Sequence, residues 1–146
     1  MDRRGILGIA LAAIGAPFAV AKAAAPAGSD VPKVAYHLCD LDKVAFVLGN
    51  IENHFTGMGG PDKVTIALVV HGPALKAFHA ASARPDVAQR LARFTGFGLA
   101  PHACGNTLKA QHITVNELLP GFSVAERGGV VLLAELQAKG FAYLRP

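Results

Sequence analysis

From Lys33 to the end of this 146-residue chain, apolar runs of strand length alternate with segments of helical period. The runs fall at 33–39, 63–70, about 97–103, 122–126 and 141–145. Strands that alternate with helices read as a parallel sheet covered by helices, because a parallel connection must cross a sheet face before the next strand can begin. The segment Val64-Thr-Ile-Ala-Leu-Val-Val70 is apolar almost throughout, as suits a central strand buried on both faces. The expected fold is therefore α/β, with about five mostly parallel strands in one domain spanning 33–146.

The intervening segments carry their own start and stop marks. Leu41, Val44, Ala45, Leu48, Ile51 and Phe55 recur at three- and four-residue steps, with Asp40 placed to cap the start and Gly57-Met58-Gly59-Gly60-Pro61 to end the helix. Gly72-Pro73 opens a short helix, and Arg84-Pro85 breaks it and opens another through Val87, Leu91 and Phe94. Thr114 with Glu117 forms a capping-box pattern, and a last helix at about 129–139 stops at Gly140.

Upstream of the domain, residues 1–25 have the order of an export signal: Arg3 and Arg4, an apolar stretch from Gly5 to Val20, then small residues around Ala21, Ala23 and Ala25. The stretch is about sixteen residues long, short of the roughly 20 needed to span a bilayer, so no stable membrane span is expected in the mature form. The paired arginines leave both the general and the twin-arginine export routes open. Residues 26–32 are a small-residue spacer, and the expected location is the periplasm.

Removing 1–25 takes away Arg3, Arg4, Lys22 and Asp2 and leaves 11 basic against 9 acidic residues, a net charge of +2. With no basic cluster interleaved with aromatics, nucleic acid is not an expected partner. Both cysteines lie in the mature part, where an oxidising compartment permits a disulfide that a domain of about 120 residues does not require.

In an open parallel sheet, reactive groups gather beyond the carboxyl ends of the strands. The first strand ends Tyr36-His37-Leu38-Cys39-Asp40, the second Val70-His71-Gly72-Pro73, and the third His102-Ala103-Cys104-Gly105-Asn106. Cys104 is the leading candidate, because it precedes a helical-looking segment whose free backbone N–H groups favour thiolate over thiol. Lys109, His71 or His102 would act in the same direction if folded close. The plainer reading is a small buried hydrophobe. Cys39 is open to packing, to a disulfide with Cys104, or to a share in a site. Cys-x-x-Cys, a phosphate-binding Gly-rich loop, a Cys-x5-Arg loop and a dinucleotide fingerprint are all absent from the sequence. No cofactor is therefore expected.

The segments KVAYHLCD (33–40), VVHGPALKAF (69–78), ACGNTLKAQHI (103–113), ELLPGFSV (117–124) and ELQAKGFAYLRP (135–146) together resemble the DsrE/DsrF-like family, in order and over nearly the whole domain. The resemblance implies a three-layer α/β/α sandwich of the flavodoxin-like kind, a homo-oligomer, and a role in sulfur relay. In that family a single cysteine near a strand end carries sulfane sulfur as a persulfide, and Cys104 stands at the matching position. His71 or His102 would then move the proton, and the partners would be sulfur donors and acceptor thiols or proteins. Two features stand apart from the family pattern: the export-like leader and the thiol at position 39. Two other readings of the same residues stay open. One is a soft-metal or haem site built from His37, Cys39, His71 and Cys104. The other is an interaction module whose oligomer is its function.

Overall fold

The structure, a computed structural model, describes residues 30–146. The export-signal reading of 1–25 and the first part of the spacer lie outside the described residues. Five strands form one sheet: β1 (Lys33–Leu38), β2 (Thr65–Val70), β3 (Ala100–Cys104), β4 (Ser123–Ala125) and β5 (Ala142–Leu144). Their order is β4-β3-β2-β1-β5, and every neighbouring pair is parallel, so the sheet is wholly rather than mostly parallel. Four α-helices connect them: α1 (Val44–Gly57), α2 (Pro85–Gly96), α3 (Gly105–Ala110) and α4 (Gly129–Ala138).

β2 lies in the middle of the sheet, and from Ile66 to Val70 each of its residues is buried, as a strand covered on both faces requires. Alternation sends Val34, Tyr36 and Leu38 of β1 and Ile66, Leu68 and Val70 of β2 to one face. There they meet Val47, Leu48, Ile51 and Phe55 of α1, Leu91 and Phe94 of α2, and Phe78 from the 3-10 helix Gly72–Phe78. The opposite face is thinner. Ala35, Ala67 and Val69 pack under Leu133 and Leu136 of α4. The expected α/β/α layering is present, with a large core on one side and a small one on the other.

Local marks account for most boundaries. Pro85 is the first residue of α2, and Gly140 takes φ +87° after α4. Thr114 and Glu117 make both bonds of a capping box around the 3-10 helix Val115–Glu117. Asp40 departs from expectation. The segment after it opens as a 3-10 helix, Leu41–Lys43, and the Asp40 side chain makes no cap bond. Its carboxylate instead accepts a hydrogen bond from Arg145 Nη2 at 3.2 Å. Bonding to the guanidinium pairs two opposite full charges, whereas a cap bond would offer the same carboxylate only an amide dipole.

Phe78 has no exposed surface and packs edge-on to Phe122, with ring centroids 5.3 Å apart. Phe78→Ala is expected to cost about 3–5 kcal/mol in urea unfolding. Gln89→Ala, on the exposed side of α2, should stay within about 0.5 kcal/mol of the parent. A Phe78→Ala loss below 1 kcal/mol, roughly the level of an average substitution, would contradict this packing.

Candidate functional site

The same alternation that buries Ala35, Ala67 and Val69 under α4 sends the next residues along each strand to the same face. His37 follows Ala35 on β1, His71 follows Val69 just past β2, and Cys104 closes β3. The four-residue spacing of β1 brings Cys39 to this end as well. Across the sheet, Cys104, His71, His37 and then Tyr143 of β5 form a polar row where the strands end and α4 begins.

An open cleft of about 490 Å³ lies at one end of this row. His71, Lys76, Cys104, Thr107, Arg127 and Gly129 are among the residues that line it. Cys104 is only 5% exposed, and its environment sets two effects against each other. Burial favours the neutral thiol, while hydrogen bonds from the backbone N–H groups of Gly129, Thr107 and Asn106 and from the Thr107 hydroxyl favour the thiolate. The bonds prevail, and the thiol lies below its ordinary pKa range. Gly129 opens α4, so one of these donors is the first N–H of a ten-residue helix. The Thr107 hydroxyl is aimed by its neighbour: it accepts the Gly72 N–H at 2.9 Å, which leaves its own proton for the sulfur. Close approach depends on glycine at Gly105, where a Cβ would lie 3.1 Å from the Ala125 carbonyl oxygen and 3.3 Å from that of Glu126.

Cys39 has the opposite balance. Burial pushes its thiol up, Arg145 opposes that and Asp40 adds to it, and the outcome is a raised pKa. Arg145 Nη2 donates to Cys39 Sγ at 3.0 Å. Beside it, His37 Nε2 and His71 Nε2 face each other in hydrogen-bond contact, and the Tyr143 hydroxyl bonds His37 Nδ1 at 2.7 Å. Burial is the main cause that lowers the pKa of both histidines, with Arg145 contributing to each. Both thiols are free.

The structure thus brings His37, Cys39 and His71 together: their ligand atoms all lie within 4.8 Å of one another. Cys104 is not in that group and shares with it only His71, which also lines the cleft. His102 stands apart from both. Its Nδ1 bonds Ser123 Oγ at 2.8 Å across β3 and β4, and it does not line the cleft. The main causes that lower the pKa of Cys104 are hydrogen bonds, and neither Lys109 nor a histidine is among them. Asp40 is at this sheet end, as its partner Arg145 makes plain.

Sequence reasoning missed Thr107, Lys76, Arg127, Gly129, Tyr143 and Arg145. A mark for some of them was available: β4 ends at Ala125, and Glu126-Arg127-Gly128-Gly129 is a strand-to-helix turn of the same kind as Cys104-Gly105.

No protein-family model and no curated protein matches this chain. Solved structures do. MTH1491 from Methanobacterium thermoautotrophicum, a protein of unknown function, is similar at 26% identity over 79% of this chain and 99% of that one, with a TM-score of 0.69. The ychN protein from E. coli is 13% identical over 78% of this chain and 99% of its own, with a TM-score of 0.56. BT1422 from Bacteroides thetaiotaomicron is 16% identical over 78% and 94%, with a TM-score of 0.57.

The two thiols should separate by pH. Iodoacetamide labelling followed by peptide mass mapping is expected to show Cys104 reacting with a midpoint below that of an ordinary thiol and Cys39 with one above it. Thr107→Val removes a donor to the thiolate and should move the Cys104 midpoint upward. Coincident midpoints would contradict the arrangement described.

By fold, then, the chain is similar to MTH1491, ychN and BT1422, and its five parallel strands between helices are the flavodoxin-like, DsrE-like arrangement that its family resemblance implies.

Proposed function

We propose that this chain is an exported sulfur carrier that holds sulfane sulfur as a persulfide on Cys104. The observation that carries the reading is the sulfur of Cys104 set among four hydrogen-bond donors in an open cleft. The Cys104 thiolate attacks the terminal sulfur of a polysulfide or a small organic persulfide. Its electron pair forms the new S–S bond, and the pair of the broken bond leaves with the donor as a thiolate or shorter polysulfide. Unloading runs the other way, with an acceptor thiolate taking the outer sulfur and Cys104 leaving as thiolate. The donors that hold Cys104 as thiolate also make it a better leaving group, and no oxidant or reductant is consumed.

His71 is the histidine that lines the cleft, so in this reading the proton expected of His71 or His102 moves through His71. Lys76 and Arg127 at the cleft suit an anionic sulfur donor. Export rests on the charged, apolar, small-residue order of 1–25.

Intact-mass analysis of the protein from the periplasmic fraction, before and after incubation with polysulfide, tests the reading. The expected result is loss of a leader of about 25 residues and a gain of one sulfur atom that reductant reverses and that maps to Cys104. Cys104→Ser should not load. Lys76→Ala and Arg127→Ala should each slow loading about tenfold at low salt, with the gap closing as salt rises. Sulfur on Cys39 alone, or none on either thiol, would overturn carriage by Cys104.

The homo-oligomer implied by the family resemblance fits the exposed apolar side chains at the sheet edge away from the cleft, Tyr143 and Leu144 on β5. We infer that a second copy covers them. Sedimentation velocity should show a dimer or larger species that Leu144→Asp shifts toward monomer, and a parent protein that sediments as monomer at tens of micromolar, where a Kd of about 1 μM would leave most of it associated, would remove the inference.

A further inference from the structure

We propose that His37 Nε2, Cys39 Sγ and His71 Nε2 form a mononuclear site for a thiophilic metal ion, Zn(II) or Cu(I), beside the Cys104 cleft but without Cys104 as a ligand. Among the described residues, these three supply ligand atoms that all lie within 4.8 Å of one another. Small side-chain adjustments bring such a group to the usual distances of about 2.0–2.1 Å for nitrogen and about 2.3 Å for sulfur.

The arrangement around the three favours a cation between them. His37 Nε2 and His71 Nε2 face each other, so at most one of the two nitrogens can present a proton to the other, and a second proton would set two N–H groups head to head. An ion that accepts both lone pairs removes that conflict. On the far side of the His37 ring, the Tyr143 hydroxyl bonds Nδ1 at 2.7 Å. With the ring proton on Nδ1 and the hydroxyl oxygen accepting it, the Nε2 lone pair points at the site, which is the outer-shell arrangement typical of ligating histidines. The Cys39 sulfur receives the Arg145 guanidinium at 3.0 Å, and a metal-bound thiolate keeps lone pairs to accept that bond. Asp40, on the same guanidinium at 3.2 Å, offsets its charge next to an incoming cation.

The donor set selects the ion. One thiolate with two imidazoles suits zinc and copper and is too soft for magnesium or calcium. Three protein ligands leave a coordination position open, as in metal sites that take an exogenous ligand. His71 belongs both to this site and to the cleft, so an ion here would lie one side chain away from the Cys104 sulfur.

The full chain, purified and stripped with chelator under reducing, anaerobic conditions, is titrated with Zn(II) and with Cu(I), each in competition with a chromogenic chelator. Co(II) serves as an optical probe of thiolate ligation. The expected result is one ion per chain, a thiolate-to-Co(II) charge-transfer band that Zn(II) or Cu(I) bleaches, loss of that band in Cys39→Ser, and its retention in Cys104→Ser. The titration that competes more strongly identifies the ion. Tyr143→Phe, which keeps the fold but not the bond to His37, should weaken binding about tenfold. Sub-stoichiometric binding, or a band that survives Cys39→Ser and disappears in Cys104→Ser, would overturn the site. Sulfur loading of Cys104 is read separately on Cys39→Ser, where it is expected to match the parent, so failure of one proposal does not imply failure of the other.

Discussion

The parallel register of β1, β2 and β3 sets what this chain can do. Residues Lys33 to Leu38 pair with Thr65 to Val70, and Ala67 to Val70 with Ala100 to Ala103, so the three strands end side by side. Parallel strands alternate in step, and the last residues that point to the α4 face are therefore neighbours in space even though they are dozens of positions apart in the chain. A one-residue slip in any of the three would turn His37, His71 or Cys104 into the large core on the other face. The apolar residues of β1 and β2 in that core hold the register, and the polar row is a consequence of it.

The thinness of the α4 side follows from the residues beneath it. Ala35 and Ala67 are small, which lets one helix cover the strand starts closely, while the strand ends carry imidazole and thiol in place of aliphatic groups. At that end the helix supplies its N-terminal amide rather than apolar side chains. Gly129, buried beside Val69, His71 and Cys104, is the residue at the start of α4 whose N–H reaches the sulfur.

Two thiols on one sheet face have acquired opposite properties because of what approaches them. Cys104 receives four donors that outweigh its burial, whereas Cys39 receives one guanidinium that is shared with Asp40 and does not outweigh its own. A thiol held low is suited to attack and departure. A thiol held high, beside two neutral imidazoles, is suited to giving up its proton only to a stronger competitor such as a metal ion. His71 lies between them and belongs to both surroundings.

Much of this was legible in the chain. Apolar runs separated by helical periods determined an α/β fold, Pro85 and Gly140 determined where helices start and stop, and the strand-end rule picked out His37, Cys39, His71 and Cys104, because those features depend on near neighbours and on a two-residue period. Others were not legible. That Asp40 serves Arg145 rather than a helix start, that His102 turns to Ser123, and that Gly129, Thr107, Tyr143 and Arg145 surround the thiols are matters of strand order and helix approach, which bring together residues up to 106 positions apart. The sequence by itself determined the layers and which residue types reach the sheet end. Only the tertiary structure decided which of them touch, because hydrogen bonds and burial act over a few ångströms and no local pattern records who arrives from across the sheet.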